Sequence, residues 1–149
     1  MKHRAGLEAV VGQYPGGFRS RGESWLAAAM AHHGIRYVYE QPTPIIDHRG
    51  RHRVWHPDFT LPDHDGLIVE YAGMPDRPDY MAGIGYKQRV YRSNGRPALF
   101  LYPTDLAVRG WPARLVARIG SYASRASADA PGAWSPDASA RSSRSSPYR

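Results

Sequence analysis

Between residues 54 and 72 the apolar positions fall into two runs, V-W-H-P-D-F-T-L and L-I-V-E-Y-A, separated by Pro62-Asp63-His64-Asp65-Gly66. Short apolar runs joined by Pro, Asp and Gly predict two strands of a hairpin, over residues 54–61 and 67–72. Upstream, Ile35, Tyr37 and Tyr39 alternate with Arg36, Val38 and Glu40, the period of a strand over 35–41, which Pro42 and Pro44 end. Asp47-His48-Arg49-Gly50 is turn chemistry. Three strands with short connections predict an antiparallel meander.

Helical periods bracket these strands. Ser20-Arg21-Gly22-Glu23 matches a capping box, and the Ala-, Leu- and Met-rich residues 25–33 follow it up to Gly34. A second helix is expected over 79–93, with Asp79 as its N-cap and Asn94-Gly95 as its stop. Its row Tyr80, Ile84, Lys87, Tyr91 should face the sheet. Residues 97–102, P-A-L-F-L-Y, read as a strand that returns parallel to the third across that helix. Leu115, Val116 and Ile119 place a last helix over 111–122. The expected class is α/β in the α+β sense: an αβββαβ core with a mixed four-stranded sheet flanked by helices. Residues 1–18, with Gly12, Pro15, Gly16 and Gly17, read as a loose lead-in, 19–122 as the folded domain, and 123–149 as a disordered Ser/Arg-rich tail.

Two carboxylates depart from this pattern. Glu70 interrupts an apolar run of the kind covered on both faces, where an unpaired carboxylate costs several kcal/mol or is driven neutral unless a cation or donors hold it. Asp58 follows Pro57, which cannot donate to a ladder and marks a strand start, edge or bulge. A bulge there could aim Asp58 at Glu70, and two such carboxylates suit a divalent cation. Glu23 begins the helical row Glu23, Leu26, Ala27, Met30 and so lies at the edge of the core-facing stripe, although taken alone it is explained more simply as a helix cap. Glu40 fits an exposed strand face.

Charge narrows the partner. The 149 residues carry a formal charge of +7 with a pI near 10.0, which suits a polyanion such as nucleic acid. Eighteen of the 20 basic residues are Arg, so an interior Lys87 stands out, because a compact ammonium does what a guanidinium cannot. Its plain alternative is a stem lying on the sheet with the head in water. The absence of Cys excludes a disulfide framework and thiolate metal sites. No apolar run is long enough for a membrane span and no signal-peptide core begins the chain, so a cytoplasmic, non-secreted protein is expected. The His residues have no zinc-type spacing.

Glu23, Pro57-Asp58-Phe59, Glu70-Tyr71-Ala72-Gly73, Tyr80, Lys87-Gln88 and Tyr91, in this order of elements, resemble the PD-(D/E)XK nuclease superfamily over residues 19–122. The resemblance implies a restriction-endonuclease-like fold and a Mg²⁺-dependent DNA nuclease, with Mn²⁺ able to substitute, that cleaves phosphodiesters to leave a 5′-phosphate. Asp58, Glu70 and the backbone carbonyl of Tyr71 would hold the metal, and Glu23 would orient water or serve a second metal. The family places a Lys two residues after the Glu, where this chain has Ala72. Lys87 is the candidate replacement, reaching the same point from the following helix. Gln88 and Tyr91 resemble the helix-borne Gln and Tyr of recombination-type nuclease domains, which support the metal site or the DNA. His56, Tyr91, Arg89 and Arg92 are the candidate DNA contacts. A homodimer would suit double-strand cleavage. The competing expectation is a nuclease-fold DNA-binding module, inactive because of Ala72, or a nuclease subunit of a larger recombination or repair complex.

Overall fold

The computed structural model describes residues 14–128, with side chains through residue 122. The elements are α1 (Arg21–His32), β1 (Val38–Tyr39), β2 (Thr43–Ile46), β3 (His52–Trp55), β4 (Phe59–Leu61), a one-turn 3-10 helix (Pro62–His64), β5 (Leu67–Tyr71), α2 (Pro78–Ser93), β6 (Ala98–Leu101), α3 (Pro103–Leu106) and α4 (Trp111–Ala128). Four strands form one mixed sheet in the order β1-β4-β5-β6. β4 pairs antiparallel with β1 and β5, and β6 pairs parallel with β5. The protein is therefore mixed α+β, with a four-stranded mixed sheet and helices on both faces.

The apolar run of β5 is explained by those two covered faces. Leu67 and Val69 join Leu99 and Leu101 of β6, Phe59 and Leu61 of β4, Leu26 and Met30 of α1, and Leu115 and Ile119 of α4 in the larger core. Ile68 and Ala72, with Phe100 of β6, point the other way and meet Ile84 and Tyr91 of α2 in a second cluster. By the two-residue period of a strand, Glu70 lies on this second face, under α2.

Three expectations need correction. The strand expected over 54–61 is two strands, because Pro57 has no N–H for a ladder and is fully buried, so the chain bends between Trp55 and Phe59. β3 instead pairs with β2 in a separate antiparallel hairpin, from Thr43↔Trp55 to Ile46↔His52. Pro42 and Pro44 therefore do not end the strand structure. Pro44 sits within β2, which has no second neighbour to donate to, and Thr43 and Ile45 turn inward while Pro44 and Ile46 turn out. Finally, β1 stops at Tyr39, because Glu40 adopts a positive φ of 51°. Glu40 donates its N–H to the carbonyl of Asp58 at 3.1 Å and pairs with Arg19 at 2.7 Å. It is thus an ion-paired turn residue that fixes the backbone of Asp58.

Boundaries also shift. Residues 14–18 make a turn closed by the Tyr14↔Phe18 bridge, and Phe18 is buried against Tyr39 and Phe59. Arg77, with Pro78 in the first turn, begins α2, and Asp79 lies inside that turn. The last helix runs on to Ala128, across the boundary expected at 122. The rest of the expected lead-in and tail, 1–13 and 129–149, lies outside the described residues. No helix among the described residues is long and apolar enough to cross a membrane.

The β2–β3 turn is held by Asp47, whose carboxylate accepts the N–H groups of Arg49 and Arg51, both at 2.9 Å, and the side chains of Arg51 and Arg53. The Arg51 N–H is the largest of the effects that hold this carboxyl well below its usual acidity range. A depressed carboxyl contributes stability that is complete above its unfolded pKa of about 3.9 and is lost as pH falls through the folded value. Asp47→Asn should therefore melt at a lower temperature than wild type at pH 6, with the gap shrinking between about pH 4 and pH 2.5. Thermal melts of both proteins across that range check it, and a gap independent of pH would refute the assignment.

Candidate active site

The separation of β3 from β4 at Pro57 places Asp58 at the entry of β4, one residue before the pair Phe59↔Val69. Tyr71 lies two residues beyond Val69 and has no β4 residue opposite it. Its N–H turns instead to Asp58 Oδ2 at 2.7 Å. Strand geometry sends the Tyr71 carbonyl to the same side, past the end of β4. The side chain of Asp58 thus continues the sheet where its backbone leaves it.

Glu70 is buried, with 3% of its surface exposed. It has the donors that such burial requires. Tyr91 of α2 gives its hydroxyl proton to Oε1 at 2.6 Å, and Lys87 Nζ stands 3.4 Å from Oε2 and 3.5 Å from Oε1. Burial, then the charge of Glu70, then this hydrogen bond push the Tyr91 hydroxyl far above its usual range, so it remains a donor. The Lys87 side chain is 41% exposed, so its ammonium meets solvent on one side and Glu70 on the other. Ala72, two residues on and on the same face, is fully buried in the cluster with Ile84 of α2. Helix α2 therefore covers Ala72 with Ile84 and brings Lys87 to Glu70 one turn further along.

Asp58 carries the electrostatic load of the cluster. Its pKa is pushed up to about 9, first by burial and then by the charge of Glu70, with Glu23 adding to the rise and the Tyr71 N–H opposing it. Glu23 is buried at the start of α1. Its N–H donates to Ser20 Oγ at 3.1 Å, which is half of a capping box. Its carboxylate turns inward instead of back to the cap and accepts the Tyr39 hydroxyl at 3.3 Å. Tyr39 is held above its ordinary range by burial and then by Glu23. Tyr80, at the start of α2, accepts the Gly73 N–H at 3.1 Å and closes the loop after β5.

The remaining candidates divide. Gln88 makes no hydrogen bond to Asp58 or Glu70 and lines a cavity at the β6 edge. Tyr91 is 1% exposed and spends its hydroxyl on Glu70, so that hydroxyl is not free for another partner. Arg89 lies on the hairpin side of α2 with His48 and Tyr86, whereas Arg92 lies on the β6 side, so the two do not form one rim. His56 is exposed at the bend before Asp58. Among the described residues no three His, Asp or Glu side chains are gathered into a ready cage for an ion.

Gly22 was not singled out by its spacing, yet it decides how α1 meets β5. A Cβ there would run into the ring of Tyr71, whose backbone holds Asp58. A glycine in the first turn of a good helix was the available signal. Comparison of the chain with family models, curated proteins and solved structures returns no match.

Gly22→Ala should lose stability although Ala is the better helix former by about 1 kcal/mol, because the Tyr71 ring must move; a net loss of about 1–3 kcal/mol is expected. Urea unfolding measures it, and a gain in stability would show that the contact yields freely.

Proposed function

We propose that the chain is a Mg²⁺-dependent DNA nuclease, with Mn²⁺ able to substitute, that hydrolyses phosphodiester bonds on a restriction-endonuclease-like fold of the PD-(D/E)XK type. The observation that carries this reading is that buried Glu70 pairs with Lys87 of α2 while its charge acts on Asp58, the carboxyl held at the entry of β4 by the Tyr71 N–H. Helix α1, strands β1, β4 and β5, helix α2 and strand β6 follow the αβββαβ order of that fold, with the β2–β3 hairpin inserted.

The donor set suits a hard divalent cation. Asp58, Glu70 and the Tyr71 carbonyl offer only oxygen, and Mg²⁺ is commonly held by one or two carboxylates with water and substrate phosphate completing its shell, so a full protein cage is not needed. An Asp whose proton affinity is raised first by burial and then by the charge of Glu70 is one whose ionised form a bound cation would stabilise. When bound, the ion supplies Lewis acidity toward a phosphate oxygen and acidifies the attacking water.

The chain's own groups would then act as follows. Tyr91 fixes the Glu70 carboxylate by its short hydrogen bond, and the Tyr71 N–H fixes Asp58. The half-exposed Lys87 ammonium would stabilise negative charge developing on the phosphate oxygens, the role that the buried Ala72 cannot fill. Glu23, behind Asp58, would orient the attacking water. A net positive charge draws the polyanionic substrate.

Purified protein with plasmid and Mg²⁺ should nick or cut it. Asp58→Ala should abolish cutting, and Lys87→Ala should lower the rate by about 10²–10³-fold. Cutting that survives Asp58→Ala would sink the site assignment. Metal uptake gives a second readout. A carboxyl with a raised pKa must lose its proton to bind a cation, so Mg²⁺ binding should release protons below about pH 9 and tighten as pH rises. Titration calorimetry in two buffers of different ionisation enthalpy reads that release. No binding of Mg²⁺ or Mn²⁺ would favour the module that binds DNA without cutting it.

A further inference from the structure

Among the described residues the outer strand β6 has a neighbour on one side only. In the parallel ladder Pro97 and Leu101 accept N–H groups of β5, so the alternate residues Ala98 and Phe100 turn their backbone groups to the open edge. One of these groups is taken, since the Tyr122 hydroxyl of α4 donates to the Ala98 carbonyl at 3.2 Å. Along this edge runs a cavity of about 440 Å³ whose lining includes Gln88, Arg92, Arg96, Tyr102, Arg118 and Tyr122, with no carboxylate among the described residues that line it. The three guanidinium groups come from α2, the turn after it, and α4. Arg118 has a carboxylate partner, Asp105, at 3.7 Å, while Arg92 and Arg96 are in no ion pair among the described residues.

We propose that this cleft at the open edge of β6 is a phosphate-binding site that takes the backbone phosphates of a nucleic-acid strand. Guanidinium forks match phosphate oxygens bidentately, and Gln88 with the two tyrosines adds neutral donors beside them. Blunting an exposed strand edge would need only scattered charge. Here three cations from three segments share one cavity, and two of them have no internal counter-charge. The chemistry recognised is the phosphate group; that a nucleic-acid strand supplies it rests on the nuclease reading. The cleft and the carboxylate site lie on the two flanks of α2, with the Tyr91 ring lining one and its hydroxyl serving the other.

The test uses the full chain in EDTA, so that binding does not depend on the carboxylate site. A labelled oligonucleotide is titrated across a series of KCl concentrations with wild type, Arg92→Gln/Arg96→Gln and, separately, Arg118→Gln, and pyrophosphate is added as competitor. The double variant should bind about tenfold or more weakly, and the slope of log K against log salt should flatten by about 0.7–0.9 per phosphate contact removed. Pyrophosphate should compete for wild type. Affinity and slope unchanged in both variants, with thermal melts confirming that they fold, would overturn the proposal. Pyrophosphate binding that the double substitution abolishes while oligonucleotide affinity stays at the wild-type value would also overturn it, assigning the cleft to small organic phosphates. Asp58→Asn in the same assay, and in plasmid cutting with Mg²⁺, separates the two readings. Cutting by Asp58→Asn would remove Asp58 from the nuclease site, and no cutting by wild type would remove the nuclease reading; in either case the cleft stands or falls on its own binding data.

Discussion

The burial of Glu70 constrains most of the molecule. A carboxylate in a strand covered on both faces is tolerated only where donors reach it, and here both come from one helix, Tyr91 at 2.6 Å and Lys87 at 3.4 Å. Those two contacts fix the rotation of α2 over the sheet. With Tyr91 and Ile84 turned inward, Arg89 and Arg92 must emerge on opposite flanks. The same orientation lets Trp55 of the hairpin pack edge-on to Tyr91, and lets Asn94, at the helix end, clamp both backbone groups of Ile46 at 2.8 and 2.9 Å. The hairpin is thereby tied to the helix and stays off the main sheet.

Asp58 shows the other side of the same economy of charge. Its backbone is pinned by Glu40 and its side chain by the Tyr71 N–H, so it cannot turn away from Glu70 to relieve the repulsion. The response is a shifted proton affinity, as expected where two carboxylates share a poorly solvated site.

Much of the architecture was legible from local pattern, and the reasons differ by element. The helices were readable because a capping box, a glycine stop and a row such as Tyr80, Ile84, Lys87, Tyr91 are local signals. The strand β5 and its odd carboxylate were readable because a charge in a doubly covered strand violates its surroundings. Residues 42–61 were misread. Alternation cannot tell whether a run stays in one sheet, and Pro57 was correctly seen as an interruption but not as the point where the chain changes sheets. Pro44 looked like a strand end because its tolerance depends on lacking a second neighbour, a property of the assembled sheet.

For the candidate site the division is similar. The sequence by itself determined which groups were out of place, Asp58, Glu70 and Lys87, since residue type against local period is enough to see that. It also determined the basic balance and the replacement of the expected lysine by Ala72. Only the tertiary structure decided which of them meet. Contacts between residues 13 to 21 positions apart depend on how α2 is rotated and where the sheet ends, and neither is encoded in any one segment. That is why Lys87 and Tyr91 share Glu70 while their neighbour Gln88 faces another cavity, and why Gly22, in the sequence only a glycine in a helix's first turn, is the place where α1 must admit the ring of Tyr71.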